Sequence, residues 1–339
     1  MSEKMKAIIM FSGGLDSTLA AKLMRDQGID LIALHLTSPF CSCDNSRQGC
    51  RAASVVMAEQ LGIEMITRAK GEDYYRILKN PRYGYGSGIN PCIDCRIYGF
   101  FLAREEMEKR GARFIVTGEV LGQRPMSQRR QTLELIEKKS GLEGLIVRPL
   151  SAKHFPPTLP EVAGWVDRGK LLDISGRSRK EQIRLAEKYS LRDYPCPAGG
   201  CLLTDRGFAK RVRDLFAHSE EVTTTDFNIL KLGRHFRLPS GEKLIISRNE
   251  SENRRLEAMG KGRLTLVVSQ DAPGPVVAID NLNSRIPEKE LTLAFRRYSK
   301  MKEGDLLLQF HHPGGEEKIL RIEDKPTGDS LSLDEYHIR

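Results

Sequence analysis

Little in this sequence would tie it to a membrane or to a secreted scaffold. No apolar run approaches the roughly 18 residues needed to cross a bilayer. The opening stretch MSEKMKAIIMFSGG lacks the apolar core and small-residue cleavage site of a signal peptide. There is no internal repeat or low-complexity tract, and only one Trp. The Gly-x-x-x-x-Gly-Lys-[Ser/Thr] motif of P-loop kinases and GTPases is also missing. These gaps argue against a membrane protein and a repeat array, and make the cytoplasm the expected location. What is present is a globular composition: 339 residues, 40% of them hydrophobic, enough for one large domain and one or two small ones. The 54 Lys and Arg against 45 Asp and Glu leave a net charge of +9. That excess suggests a polyanionic partner but by itself implies only non-specific attraction. Seven cysteines, an odd number, are unlikely to form a disulfide framework in a reducing compartment. Metal binding, redox work or plain burial remain.

The chain reads as three segments. Residues 1–150 alternate apolar strands (Ala7–Met10, Leu31–Leu36, Glu64–Thr67, Phe114–Thr117) with helices (Thr18–Gln27, Arg51–Leu61, Cys95–Arg110). This order predicts an α/β fold, a doubly wound and mostly parallel sheet. Residues 151–225 read as a linker and helical extension with a helix from Ser178 to Tyr189, opened by a Ser178/Glu181 capping box. Residues 226–339 turn to short strands with Gly/Pro turns, predicting a smaller, basic α+β module. Between Arg206 and Lys300 there are 18 Lys and Arg against 12 Asp and Glu, six of the nine excess charges.

Ser12-Gly13-Gly14-Leu15-Asp16-Ser17 lies between the first strand and the first helix. Adjacent glycines let a ligand approach the backbone, and a helix N-terminus offers unpaired N–H groups to a phosphate. Ser12 and Ser17 can donate hydroxyls. Asp16 would repel phosphate directly, so it is better suited to partner Mg2+ or to hold the loop. A bare Gly-Gly would be read as an ordinary strand-to-helix turn. Three cysteine groups also sit in loops: Cys92-x-x-Cys95 just ahead of a helix, Cys196 with Cys201, and Cys41, Cys43 and Cys50. From the residues alone, a redox pair, a zinc site of Cys92, Cys95, Cys196 and Cys201, and three ligands of a [4Fe–4S] cluster stay open.

The whole SGGLDS string after an apolar strand resembles the pyrophosphate-loop (PP-loop) ATP pyrophosphatase family, whose members cleave ATP between the α- and β-phosphates and adenylylate a substrate. Asn90-Pro-Cys-Ile-Asp-Cys95 and Gly199-Gly-Cys201 resemble the two cysteine segments of tRNA 2-thiouridylases. Thr117-Gly118-Glu-Val-Leu-Gly-Gln123 with Ser127-Gln128 resembles a segment of tRNA 4-thiouridine synthetases, and Arg148-Pro149-Leu150 fits both groups. The extra Cys92 is similar to the iron–sulfur branch of tRNA thiolation enzymes. The resemblance, over about residues 5–205, implies a nucleotide site of Ser12, Gly13, Gly14, Asp16, Ser17 and Gly118. It implies catalytic Asp16, Cys95 and Cys201, and a [4Fe–4S] cluster on Cys92, Cys95 and Cys201, with Cys196 the rival third ligand. ATP and Mg2+ are the other implied cofactors. The implied partners are tRNA and a sulfur donor, hydrosulfide or a cysteine desulfurase persulfide, with a homodimer as the assembly. The implied activity is ATP-dependent tRNA uridine thiolation at C2 or C4. Its rivals are a cluster-free enzyme using a Cys95/Cys201 persulfide, a PP-loop ligase or sulfur-insertion enzyme acting on a small molecule, and a non-catalytic RNA-binding protein.

Arg124, Arg129 and Arg130 follow the fourth strand, at the edge where open α/β sheets bind ligands. Arg177, Arg179 and Lys180 form a second cluster; Arg206, Lys210, Arg211 and Arg213 form a third. A charge run is usually a solvated face, but three of them beside a nucleotide site suggest RNA phosphate contacts. Leu232-Gly-Arg-His-Phe-Arg-Leu238 and Ser247–Asn253 resemble the small RNA-binding module of ribosome quality-control proteins. Arg234 and Arg237 are the expected phosphate contacts there, and Phe236 the expected stacking platform. The histidines His35, His154, His218, His311 and His312 show no ligand-like spacing, and Trp165 is read as core.

Overall fold

A computed structural model describes residues 4–41, 50–192, 194, 201–280, 286–300, 303–323 and 332–338. The chain divides into two compact units, Met1–Thr204 and Asp205–Arg339. The boundary thus falls at one place, rather than at residues 150 and 225.

The first unit holds a five-stranded sheet: β1 (Lys6–Met10), β2 (Asp30–Thr37), β3 (Glu64–Ala69), β4 (Phe114–Thr117) and β5 (Ile146–Val147), in the order β3-β2-β1-β4-β5. Every pairing is parallel, as the sequence reading expects. Helices cover both faces: α1 (Leu15–Arg25), α2 (Cys50–Leu61), α3 (Gly71–Lys79), α4 (Cys92–Lys109), α5 (Arg130–Lys139), the single turn α6 (Leu159–Val162) and α7 (Lys180–Lys188). Alternation along the central strands divides the core. Ala7, Ile9, Phe114 and Val116 pack with α1 and α2 through Leu19, Met24 and Met57. Ile8 and Ile115 pack with α4 and α5 through Phe100, Met107 and Ile136. Both faces of the sheet are thereby dry, which is why β1 and β4 read as unbroken apolar runs.

Ala152, Val166, Leu171, Ile174 and Leu191, from the expected linker, are part of this core. Leu185 and Ala186 of α7 are buried with Leu19 and Met24 of α1. The expected Ser178/Glu181 capping box is absent: α7 starts at Lys180, Arg179 stands at the cap, and Glu181 is taken by Arg184, 2.5 Å away. A capping box forms instead at Thr223/Asp226, where the Thr223 amide donates to the Asp226 carboxylate at 2.7 Å.

The second unit is an antiparallel six-stranded sheet of β6 (Arg234–Arg237), β7 (Lys243–Ile246), β8 (Thr265–Ser269), β9 (Val277–Asp280), β10 (Leu306–His311) and β11 (Glu317–Ile322). Its helices are α8 (Arg206–His218), α9 (Thr224–Ile229), α10 (Glu250–Gly260) and α11 (Glu288–Tyr298). One face buries Phe236, Val267 and Phe310 against Leu291 and Phe295 of α11. The other buries Ile245 and Leu266 against Leu256 of α10 and Ile229 of α9. The helix α8 belongs here because its Asp214 carboxylate accepts from Arg237 at 2.9 Å and from buried Lys243 at 2.7 Å. Among the described residues no helix is long and apolar enough to cross a membrane.

Candidate functional site

In the first sheet β1 pairs with β2 on one side and β4 on the other, so the connections leaving β1 and β4 diverge. That leaves a crevice beyond their carboxyl ends, where open parallel sheets bind ligands. The Ser12–Ser17 loop leaves β1 there. Gly13 has φ +70°, and a Cβ on it would lie 2.6 Å from the Ser54 Cα of α2, so only glycine fits. Gly14 sits at the cap of α1 and no side chain caps that helix, leaving first-turn amides for a ligand. The Ser12 and Ser17 hydroxyls lie 3.2 Å apart, and Ser17 Oγ donates to the Gly14 carbonyl at 2.9 Å. Gly118, just past β4, packs on this loop: a Cβ there would lie 2.6 Å from the Asp16 carbonyl carbon and the Ser17 amide nitrogen.

Asp16 is held by residues to which the sequence reading gave no part in the phosphate loop. Gln123 Nε2 donates to its Oδ2 at 2.8 Å, and Gln182 Nε2 donates to Gln123 Oε1 at 3.4 Å. Arg179 stands 3.9 Å from the same oxygen. The Gly176 amide donates to the Leu121 carbonyl at 2.7 Å, which carries the start of α7 to the crevice. Asp16 Oδ1, Arg179 Nε and Gln182 Oε1 are all buried without a hydrogen-bond partner. Buried polar atoms normally find partners, so three orphans around one loop mark a place built to receive a polar ligand. Arg179, expected in an RNA-facing cluster, belongs to this crevice.

The cysteines come next to it. The helix α4 begins at Cys92. Buried Asp94, between Cys92 and Cys95, accepts the Arg82 and Tyr83 amides at 3.0 and 3.1 Å and so fixes the loop before the helix. Lys70, at the end of β3, donates to Cys95 Sγ at 2.7 Å and lies 4.7 Å from the centroid of the Tyr74 ring. The Tyr74 phenol also bonds Cys95. Burial pushes the Cys95 thiol up, but the Lys70 charge and the hydrogen bonds from Lys70 and Tyr74 outweigh it, and the net pKa is lowered. Burial and the neighbouring Cys95 charge raise Cys92. Burial, with a lesser push from Cys95 and Cys92, takes Cys201 up to about 11. Cys201 reaches the site because the Ile89 amide donates to the Leu203 carbonyl at 2.8 Å and the Leu202 amide to the Phe40 carbonyl at 2.9 Å. Its strand segment forms an antiparallel bridge with Cys41.

Arg124, an exposed residue, connects the two halves. Desolvation of its guanidinium and the charge of Arg96 draw its pKa down, while Cys92, Asp16 and Glu119 pull it up. It therefore lies within electrostatic reach of both the phosphate loop and the cysteines. Arg96 pairs with buried Glu119 at 2.7 Å, which also binds Arg148 at 3.2 Å, giving the Arg148-Pro-Leu segment a buried structural role. Among the described residues no three His, Cys, Asp or Glu side chains are placed to hold a metal ion. Cys41, Cys92, Cys95 and Cys201 are in no disulfide. Cys43 and Cys196, hence the four-cysteine zinc reading, lie outside the described residues, as does the Cys50 side chain.

The basic residues divide. Arg129 and Arg130 are exposed, and Arg130 lies 5.0 Å from the centroid of the Phe155 ring. Arg206 and Lys210 are exposed on α8, while Arg211 turns inward to the Leu230 carbonyl at 2.5 Å. Arg234 covers the Tyr298 ring at 4.5 Å. Two residues expected to meet RNA from β6 have other surroundings: Arg237 forms a two-pronged pair with Asp214, and Phe236 is fully buried in the core rather than offered as a stacking platform.

The first unit is thus a parallel α/β domain with a glycine loop opening its first helix, followed by a separate antiparallel-sheet domain. Residues 2–154 match the family described as "Thiamine biosynthesis protein (ThiI)", and residues 233–331 match "NFACT protein RNA binding domain". The first stretch is thus similar to the ThiI family and the second to the NFACT RNA-binding-domain family. The chain is similar to the tRNA-specific 2-thiouridylase MnmA of Rippkaea orientalis, 26% identical over 68% of this chain and 64% of that protein. The MnmA of Pelobacter propionicus is 32% identical over 34% of this chain and 33% of its own length. A probable tRNA sulfurtransferase of Methanothermobacter thermautotrophicus is 30% identical over 35% of this chain and 30% of its own length. The chain spans between about a third and two thirds of these relatives' lengths. A crystallised 4-thiouridine synthetase–RNA complex with bound ATP aligns at TM-score 0.39 and 19% identity, over 67% of this chain and 52% of that one.

Proposed function

We propose that the protein is an ATP-dependent tRNA sulfurtransferase of the cytoplasm that replaces a uracil carbonyl oxygen, at C2 or C4, by sulfur. The observation that supports the reading is the phosphate loop itself: Gly118 packs on it at the carboxyl ends of β1 and β4, and Asp16 Oδ1, Arg179 Nε and Gln182 Oε1 are buried around it without partners. A carbonyl oxygen is a poor leaving group. Its attack on the α-phosphate of ATP makes it an adenylate and releases pyrophosphate. Sulfur then attacks the activated carbon and AMP departs. The α1 amides and Arg179 face the phosphates and stabilise charge as it shifts. Asp16, fixed through one oxygen by Gln123 and unpartnered at the other, fits a Mg2+ ligand. The adjoining match to an RNA-binding domain favours tRNA over a small-molecule acceptor.

For sulfur delivery, Cys92, Cys95 and Cys201 are three soft donors, all within electrostatic reach of Tyr74. By type these thiols would suit a [4Fe–4S] cluster, but among the described residues no three such side chains stand close enough together to hold a metal ion as placed. When bound, such a cluster supplies an iron on which hydrosulfide can be held. Lys70 and Tyr74 orient Cys95 and favour its anionic form, while Asp94 fixes the first turn that carries both Cys92 and Cys95. The pKa order favours a second reading. Cys95 tends to thiolate while Cys201 stays a thiol, which suits a Cys201 persulfide supplied by a cysteine desulfurase. The Cys95 thiolate would attack its inner sulfur, forming the Cys95–Cys201 disulfide and releasing hydrosulfide. Anaerobic purification with iron and acid-labile sulfide analysis separates the two. The cluster reading expects about four irons, lost in Cys92→Ala along with thiolation. An iron-free protein in which Cys92→Ala still thiolates tRNA supports the persulfide. Unchanged thiouridine, by nucleoside mass spectrometry, in cells carrying Asp16→Ala in place of the wild type would remove the catalytic proposal.

A further inference from the structure

A fourth cysteine stands beside the sulfur site with no part in either delivery scheme. Cys41 and Cys201 are directly opposed in an isolated antiparallel bridge. The Leu202 amide donates to the Phe40 carbonyl at 2.9 Å, linking the residue after Cys201 to the residue before Cys41. That bond flanks the pair, so Cys41 and Cys201 occupy a non-hydrogen-bonded position of the ladder. In such a position the Cα atoms lie about 4.5 Å apart and the two side chains leave the same face at their closest approach. Disulfides need Cα separations of roughly 4.4–6.8 Å, so this pair can be bridged without moving the backbone. Cys201 is latched on its other side as well. Ile89 binds the Leu203 carbonyl, and the Thr204 hydroxyl donates to the carbonyl of Cys201 at 2.7 Å. Both cysteines are half-exposed. Cys95, the other thiol near Cys201, is engaged by Lys70 and Tyr74.

We propose that Cys41 and Cys201 form a reversible disulfide that switches the sulfur site off under oxidising conditions. The oxidant is a small-molecule disulfide. The thiolate of one cysteine attacks it, forming a mixed disulfide and expelling one small thiol. The second cysteine then attacks the protein sulfur of that mixed disulfide and expels the other small thiol. Two protein thiols lose two electrons and two protons; the small disulfide gains both and leaves as two thiols. Disulfides in reducing compartments are usually transient and redox-sensing, and this one would withdraw Cys201 from sulfur handling without unfolding the unit. The off-switch rests on the proposed role of Cys201; the cross-link does not.

The test is to equilibrate the full chain, as purified anaerobically, in glutathione buffers running from fully reduced to fully oxidised, then quench by alkylation and map peptides without reduction. The expected product is a single peptide pair linking Cys41 to Cys201, lighter by two hydrogens, with loss of alkylation at Cys201. Reduction should restore both. In Cys41→Ser the cross-link should vanish, and tRNA thiolation by the reduced protein should match wild type while outlasting oxidised glutathione. A cross-link from Cys201 to Cys95, or none in any buffer, overturns the pairing. If the Cys41–Cys201 link forms but thiolation is unaffected, the switch fails while the pairing stands. If reduced wild-type protein never thiolates tRNA, the fault lies in the proposed function.

Discussion

Gly118→Ala tests whether the backbone after β4 really presses on the phosphate loop. Gly118 has an ordinary φ, so alanine meets no conformational strain, only a collision. Its methyl carbon would lie 2.6 Å from the Asp16 carbonyl carbon and 2.6 Å from the Ser17 amide nitrogen. Ordinary carbon contacts begin at 3.4 Å, so the two backbones must separate by about 0.8 Å. Neither is a flexible side-chain end, so the loop moves as a whole. Overpacking of this kind costs about 1–3 kcal/mol. For a unit of this size that corresponds to roughly 2–12 °C of Tm, at about 2–4 °C per kcal/mol. The larger effect is on chemistry, because Asp16 and the α1 amides shift with the loop, and a misplacement near 1 Å can lower a rate about 100-fold. Calorimetry for Tm, ATP titration, and thiouridine formation per turnover read the three effects. Gly314→Ala, where a Cβ would meet nothing within 4 Å, is the matched control and should be silent. A Gly118→Ala enzyme with wild-type Tm, ATP affinity and turnover would refute the close approach and with it the geometry of the crevice.

Gln123→Ala removes the hydrogen bond that aims Asp16 and should lower thiolation about tenfold with little change in Tm, since one such bond is worth about 1–1.5 kcal/mol; an unaltered rate would show that Asp16 needs no holder. Lys70→Met should shift the pH profile of Cys95 alkylation to higher pH, because the ammonium that favours the thiolate is gone; peptide-resolved alkylation kinetics would show it, and an unmoved profile would leave Lys70 without that role. Asp214 is driven down to about 2, burial opposing and Arg237 and Lys243 prevailing. Its folded pKa lies below its unfolded one, so it adds stability above about pH 4 that is lost as pH falls through 2, about 1–2 kcal/mol after screening; acid titration of the second unit's unfolding should be shallower in Asp214→Asn, which should also lose about 3–5 kcal/mol by stranding buried Lys243. Arg206→Ala with Lys210→Ala should weaken tRNA binding and flatten its salt dependence by about 0.7–0.9 per lost phosphate contact. Arg237→Ala should instead lower stability with the salt slope intact.

Much of the first sheet was legible because parallel strands buried on both faces are near-continuous apolar runs, as in Ile8, Ile9, Val116 and their neighbours. The SGGLDS loop was legible because everything it needs is local. The helices α3, α5, α10 and α11 and the strands β5 and β11 went unread. Each is short or has a mixed pattern, and β11 is mostly exposed, so its apolar residues show little periodicity. Charge misled where a partner lay far off in sequence. Arg237 looked like surface because Asp214 sits 23 residues earlier on another element. Gln123 and Lys70 escaped for the same reason, and Arg179 was read as part of an RNA-facing cluster. Residues of these types signal nothing alone, and only the strand connections bring them to Asp16 and Cys95. The capping box at Ser178 had the right spacing, but Arg184 offered Glu181 a stronger, charged partner one turn along.

The latch between Gly88-Ile89 and Leu203 has a consequence for how the protein is made. A Cβ on Gly88 would lie 2.3 Å from the Leu203 carbonyl oxygen, so the two segments meet backbone to backbone. The nucleotide loop and the Cys92–Cys95 pair are synthesised early, and the sheet that carries them can close once β5 emerges. The third cysteine arrives more than fifty residues later and clips onto a surface already built. During synthesis the nascent chain therefore passes through a stage with the Ser12–Ser17 loop in place and the Cys92–Cys95 pair not yet joined by Cys201.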